Sequence, residues 1–455
     1  MAPPLPRPAW SKQPALLRRI FRDPAPVLDE LASQLGPVFA LGAGPVRMAV
    51  VGDADTLREL FMQPTDRFKW GHKFNVLGFV LGDGSMVVSD GEDHRRRRQA
   101  VQPAFGRRRL DGWIPMIVAR TDATIDDVVA TVGPAGAVVD LLPVGRDLVL
   151  DIVVRGLFGD RMAGRSAEIG VLFERPAAYL ESAAVRQLPH PFPFTRRARV
   201  RDDRRALDAL IDAEIAHHRA NPADDPSNVL EVLVADGTLS DAEVRDQVAT
   251  LIGAGHDTTA ASLAWIIWCT ALTPGLWERL RDEADRVLGP PSAGGAAPDG
   301  STLAQLDLAS RVMREALRLH PAGVLSPREA VVDVDLGGHR IPKGTLVLWS
   351  AHLAGRDASV WDDPLRFDPD RFAGLDDDQR QLTDASWVPF GGGRRNCIGF
   401  AAAQMELTLI TARLAQRLDV QALADEAPRP VGMVVNRPEG GAPMRVAARP
   451  TSAVP

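Results

Sequence analysis

The chain of 455 residues holds two thiols, Cys269 and Cys397, and their surroundings differ sharply. Cys397 lies in the run Trp387-Val-Pro-Phe390-Gly391-Gly392-Gly393-Arg394-Arg395-Asn396-Cys397-Ile398-Gly399-Phe400. Three successive glycines let the backbone approach something flat or bulky and tolerate positive φ. An apolar helical stretch, FAAAQMELTLITARLAQRL, follows at once. The thiol therefore stands at a helix N-terminus, where the dipole and unpaired N–H groups favour thiolate, the form that ligates a metal. The competing reading is a buried cysteine beside a glycine turn. Against it stands the complete pattern F-x-x-G-x-R-x-C-x-G, filled by Phe390, Gly393, Arg395, Cys397 and Gly399. Cys269 sits in an apolar stretch and reads as a small buried hydrophobe. Two thiols exclude a disulfide framework, a four-cysteine zinc site and a cysteine-ligated iron–sulfur cluster, and fit a reducing compartment.

Weaker polar constellations occur upstream. Ala254-Gly255-His256-Asp257-Thr258-Thr259 falls midway along a helix expected over Leu239–Leu272, opened by a capping box of Ser240 and Glu243. Gly253 and Gly255 cost up to about 1 kcal/mol each relative to alanine, and a hydroxyl bonding back to a carbonyl four residues earlier can bend the helix. Such a defect suits a groove that admits a ligand; small residues for close helix packing are the alternative. His94 and Arg98 form an i, i+4 pair, and Glu315 with Arg318 an i, i+3 pair, each on one helix face. Arg95–Arg97 and Arg107–Arg109 make a basic patch on a chain of net charge −6.

These residues need positioning elements, and helical periodicity supplies most of them: Asp53–Met62, Glu92–Phe105, Gly112–Val132, Asp147–Gly156, Ser166–Leu188, Arg196–Ala220, a helix ending near Pro321, and Phe400–Leu418. Two short strands precede Gly52, strand-like stretches span REAVVDVDL and GHRIPKGTLVLW, and a β-like tail closes the chain. The predicted class is mainly α with small β-sheets (α+β). A hydrophobic share of 45% with 25% charged residues fits a soluble globular protein, and the acidic balance excludes a general nucleic-acid binder. Ala260–Leu272, the most apolar stretch, is too short to span a bilayer and reads as a core helix. The Pro-rich N-terminal segment reads as neither signal peptide nor membrane anchor, which predicts a cytoplasmic protein without a membrane anchor.

Taken in order, these motifs cover roughly residues 90–400 and resemble the cytochrome P450 family of haem-thiolate monooxygenases. The resemblance implies one catalytic domain over 1–455, with a Pro-rich segment about 1–22 and a flexible loop about 289–300. It implies heme b (iron protoporphyrin IX) with Cys397 as axial ligand of the iron. Phe390, Gly391 and Ala254 would border the haem, and His94, Arg98, Arg328 and Arg395 would contact its propionates. Thr258 would hydrogen-bond the bound dioxygen and Asp257 would feed it protons, while His256 faces away. Glu315, Arg318 and Arg371, the last within Pro369-Asp370-Arg371-Phe372, would brace the cysteine loop; Asp370 stands where the family carries Glu. Pocket walls are expected from Gly71–Gly84 with Phe79 and Val80, from Phe173–Leu188, from Leu251 and Ala254, from Gly323–Ser326 with Val324, and from Met433–Val435 with Val434.

The implied reaction inserts one oxygen atom from O2 into an apolar substrate of lipid, terpenoid, steroid or aromatic type. Neither Gly42-x-Gly44 nor Gly253-x-Gly255 completes a dinucleotide fingerprint. Electrons from NAD(P)H would therefore arrive through redox partners, a ferredoxin (or flavodoxin) and its reductase, docking on the basic patch of a monomer. Three rivals are a peroxygenase, isomerase or dehydratase of the same fold, a non-catalytic haem sensor, and a cysteine-nucleophile hydrolase. The Asp257-Thr258 pair favours oxygen activation over the first, and no histidine near Cys397 supports the last.

Overall fold

The helix Asp241–Ala271 is the axis of the molecule. It opens on the capping box: Ser240 Oγ accepts from Glu243 N at 3.3 Å, and the Glu243 carboxylate accepts from Ser240 N at 3.1 Å. Toward its other end every residue from Thr259 to Thr270 is buried, as expected of a helix apolar on all sides. Around it pack the helices Leu141–Phe158, Arg196–Ala220, Asp307–Leu319 and Phe400–Arg417. The computed structural model describes residues 3–70, 76–182, 184–190, 192–289 and 298–449.

Two apolar clusters divide that axis. Ile266 and Ile267 join Ile114, Ala309, Val312, and Leu409 of the helix after Cys397. Val248 and Ile252, nearer the N-terminus, join Leu150, Phe173 and Ile211. A five-stranded sheet lies to one side, in the order Val38–Leu41, Met48–Val51, Leu346–Trp349, Ser326–Ala330, Phe68–Lys69. Its pairs are antiparallel except Met48–Val51 with Leu346–Trp349, registered Val51↔Trp349. A three-stranded sheet joins Ala137–Asp140, Pro443–Ala448 and Leu418–Ala422.

Some elements differ from the sequence expectation. The helix expected from Gly112 begins at Arg107 and runs through Pro115 to Val132. Asp140, whose carboxylate accepts from Leu142 N at 3.1 Å, starts the next helix six residues earlier than periodicity suggests. Val229–Asp236 and Leu276–Leu288 are additional helices, and Asp377–Ser386 is a helix within a stretch expected to be loop. Val76–Leu81, inside the expected pocket loop, is also helical. Residues 71–75 and 290–297 of the two expected loops lie outside the described residues.

Candidate active site

The cysteine loop is built by its glycines. Gly391 and Gly393 adopt φ of 70° and 64°, conformations that L side chains avoid. A side chain at Gly392 would strike the Phe61 ring, and one at Gly393 the Phe61 backbone. The loop closes with Cys397 N donating to Phe390 O at 2.8 Å. Phe390 packs edge-on against Phe400, the first residue of the following helix, with ring centroids 4.9 Å apart.

Cys397 opens onto a cavity of about 540 Å³. The residue is exposed toward that space, yet the protein atoms crowded around its sulfur desolvate the thiolate and push the pKa up; the Gly399 N–H and the Arg98 charge pull it back. The long helix lines the same cavity with Leu251, Ala254 and Thr258, the last donating from Oγ1 to Ala254 O at 2.6 Å. That is the back-bond the small-residue motif suggests, yet the helix runs through it unbroken. At Gly253 a side chain would meet Phe173 of the helix Ser166–Leu180, so the glycine admits that ring to the wall.

His94, Arg98, Arg328 and Arg395 face this cavity together. Arg98 donates to Asn396 O at 2.8 Å and Oδ1 at 2.7 Å, and Arg395 to Asp90 Oδ1 at 2.6 Å. Arg328 has no acidic partner among the described residues and lies over the Phe61 ring, 5.3 Å from its centroid. Burial, with the Arg395 charge beside it, lowers its pKa to about 10. Burial and the flanking Arg395 and Arg98 push His94 down to about 4. A buried cation without a counterion is costly, so this cluster calls for an anionic group. Apolar walls, a thiol at a helix start and surplus basic side chains together fit a flat dicarboxylate such as haem.

Asp257 is placed otherwise. Its carboxylate turns from the cavity lining to Arg146, with Oδ1 2.6 Å from Nη2, and to Arg437, with Oδ2 3.2 Å from Nη1. His256 does not line the cavity either, and burial lowers its pKa. Glu315 accepts from Arg318 at 2.7 and 2.8 Å and from Arg371 Nε at 2.9 Å. Arg318 in turn donates to Pro364 O at 2.7 Å and Arg366 O at 3.1 Å. Asp370 stands outside this knot, on Arg279 at 2.9 Å and on Arg311.

Two expected contacts are corrected. Phe79 does not line the cavity: its ring lies 5.8 Å from Tyr179, under the Arg197 guanidinium. Because Val76–Leu81 is helical, Leu77, Val80 and Leu81 share the cavity-lining face and Phe79 falls off it. Val324 points into the apolar cluster of Leu325, Leu348 and Leu353, leaving Gly323 and Ser326 on the wall. A side chain at Gly391 would crowd Trp349, which itself lines the cavity. Val80, Leu251 and Val434 do line it. The basic patch is also smaller than expected, since Arg96 and Arg97 both pair with Glu243. Sequence reading missed Glu406, a cavity-lining acid whose Oε1 has no partner among the described residues and which burial pushes up to about 8. A lone acid between Met405 and Leu407 was the available signal.

A mainly helical frame that presents one thiol, a basic cluster and a small-residue helix to a single apolar cavity defines a thiolate-ligated haem oxygenase. The cytochrome P450 family model matches residues 3–442, and the chain belongs to that family. It is 34% identical over 362 residues to cyclooctatin synthase of Streptomyces melanosporofaciens, covering 77% of this chain and 76% of that one. Pentalenene oxygenase of Streptomyces avermitilis is 30% identical over 425 residues, covering 91% of each. The structure of cyanobacterial CYP120A1 with bound retinoic acid matches with a TM-score of 0.81 at 25% identity, over 92% of this chain and 94% of that one. The protein is a haem-thiolate monooxygenase acting on an apolar organic substrate with electrons from redox partners. No single described helix is long and apolar enough to cross a membrane.

Proposed function

We propose that this enzyme hydroxylates a cyclic terpenoid, taking electrons from NAD(P)H through a ferredoxin, or a flavodoxin, and its reductase. The observation that carries the reading is the shared cavity: Cys397, the uncompensated Arg328 and the Thr258 hydroxyl all open onto one apolar space. The sequence similarity to cyclooctatin synthase and pentalenene oxygenase, two terpenoid-named proteins, supports the substrate class. We place the reaction in the cytoplasm, in a monomer of one catalytic domain; two unpaired cysteines support a reducing compartment.

Cys397 would hold the haem iron, while His94, Arg98, Arg328 and Arg395 would neutralise and orient its carboxylates. Bound haem supplies the activation of dioxygen and the transfer of one oxygen atom to carbon, chemistry that thiolate ligation favours. The protein's part is then orientation, dryness and protons. Leu251, Val80 and Phe173 keep a hydrocarbon against the reacting centre and exclude water. Thr258 Oγ1, now donating to Ala254 O, can reorient to hold a proton on the cavity side. Asp257, at the preceding position of the same turn, is the acid that can resupply it from the side of Arg146 and Arg437.

With pentalenene as probe, haem-loaded enzyme and reconstituted redox partners, ¹⁸O from labelled dioxygen should appear in one hydroxyl of the product. Label from water, or product formed only when hydrogen peroxide replaces NAD(P)H, would overturn the proposal. Thr258→Ala is expected to leave probe binding intact and cut product per NAD(P)H consumed by about tenfold or more, hydrogen peroxide taking up the difference. Unchanged coupling in that variant would remove Thr258 from the proton route.

A further inference from the structure

A chain of ion pairs joins the substrate wall to Asp257, and nothing in the reaction above uses its outer half. The helix Ser166–Leu180, which lines the cavity with Phe173, Ala177 and Leu180, is followed at once by Glu181. The Glu181 carboxylate reaches the turn after Gly432 and accepts from Met433 N at 2.8 Å, Val434 N at 3.3 Å and Val435 N at 3.1 Å. Successive N–H groups converging in this way form an anion nest, and here the anion is a side chain of the protein itself. Gly432, at φ 107°, provides the bend. Val434 and Val435, whose amides are held, line the cavity.

Arg437 then links the nest to the proton route. Its Nη2 lies 3.2 Å from Glu181 Oε1 and its Nη1 3.2 Å from Asp257 Oδ2. The side chains of Glu181, Arg437 and Asp257 are 19%, 24% and 16% exposed, so water screens these pairs less than surface ones. The far side of the turn is fixed independently: Asn436 N donates to Ala322 O at 2.8 Å, and Trp265 Nε1 to Asn436 O at 3.2 Å. The Glu181 end of the turn thus hangs on one side chain, whereas the Asn436 end is tied at both its N–H and its carbonyl. On its other oxygen Asp257 holds Arg146.

We propose that Glu181 is a positioning residue that seats the Met433–Val435 turn as a wall of the substrate cavity and, through Arg437, couples that wall to the anchoring of Asp257. This deepens the monooxygenase reading and rests on it for its optical readout. Shape selection and proton supply would then share one arginine, so that a well-fitting substrate is sensed where protons are delivered.

The test uses the haem-loaded full chain with Glu181→Ala and Glu181→Gln, titrated with two iron-binding probes. Imidazole reaches only the iron, whereas clotrimazole must also fill the cavity. In Glu181→Ala the clotrimazole Kd is expected to rise about tenfold, roughly one well-made anchor, with imidazole unchanged within about twofold. Glu181→Gln keeps an oxygen for the turn amides and should recover most of that loss. A double-mutant cycle of Glu181→Ala with Asp257→Asn on clotrimazole affinity should be non-additive, and additive once Arg437→Gln is present. Equal weakening of both probes, or additivity with Arg437 intact, would overturn the proposal. Failure of both probes to shift the Soret band in the parent protein would instead count against the haem reading. Hydrogen exchange decides in that case: the Met433–Val435 amides should lose protection in Glu181→Ala and retain it in Glu181→Gln, and unchanged protection in both would overturn the latch.

Discussion

At the scale of single residues, Glu406 is the acid whose state the fold controls most directly. It lies in the helix Phe400–Arg417, faces the cavity and is buried, which raises its pKa from 4.5 to about 8. The folded protein therefore holds this proton more tightly than the unfolded chain does. Between those two values the native state binds more protons, so stability falls as pH rises. The contribution is complete below pH 4.5 and is lost as pH passes through about 8. Glu406→Gln keeps the shape and removes the ionisation. Urea unfolding at pH 5 and pH 8 should show the parent losing on the order of 2–4 kcal/mol more than the variant between the two. Equal losses would mean that the carboxyl ionises in the native state without cost.

At the scale of elements, the buried knot on Asp307–Leu319 shows what spacing conveys and what it hides. Glu315 and Arg318 are both fully buried, so removing one partner strands the other's charge. Glu315→Gln should cost about 3–5 kcal/mol in unfolding free energy and lower the ratio of Soret to protein absorbance, whereas Asp370→Asn, on its exposed pair, should cost under about 1 kcal/mol. A Glu315→Gln protein with parental stability would show that the knot is not a brace. The i, i+3 pair was legible in the sequence, as was the Pro369–Phe372 element carrying Arg371. The carbonyls of Pro364 and Arg366 that they hold were not, because backbone acceptors in an irregular loop leave no mark on residue type. The long helix was legible from its capping box and apolar run. Phe79 was misplaced because VLGFVL has no polar face to reveal a helical period. For Asp257 the motif was legible but its direction was not: its partners Arg146 and Arg437 lie 111 and 180 residues away, and only the fold brings them to one point.

At the scale of the whole molecule, a chain of net charge −6 presents a small basic face beside its cysteine loop. The helix Gly91–Val101 abuts that loop through Arg98 and Asn396. Arg96 and Arg97 turn inward to Glu243, so they brace the start of the long helix and are poor candidates for docking. Arg95 is outward but already paired with Glu92 at 2.5 Å, whereas Arg107 and Arg108, 87% and 93% exposed, each have only a distant acid at 3.9 and 3.7 Å. Pairs so exposed contribute little to folding, which leaves these charges free to steer an acidic electron donor. Arg107→Glu with Arg108→Glu should raise the KM for the proposed ferredoxin about tenfold at low ionic strength, with kcat at saturating donor and thermal stability unchanged. The gap should narrow as salt is raised, since the screening length shrinks to about 3 Å at 1 M. Arg96→Glu provides the contrast, because it sets two acids against each other at Glu243 and should lower stability before it touches donor affinity. A donor KM that ignores the double charge reversal, or a difference that salt leaves untouched, would move the docking site away from this face.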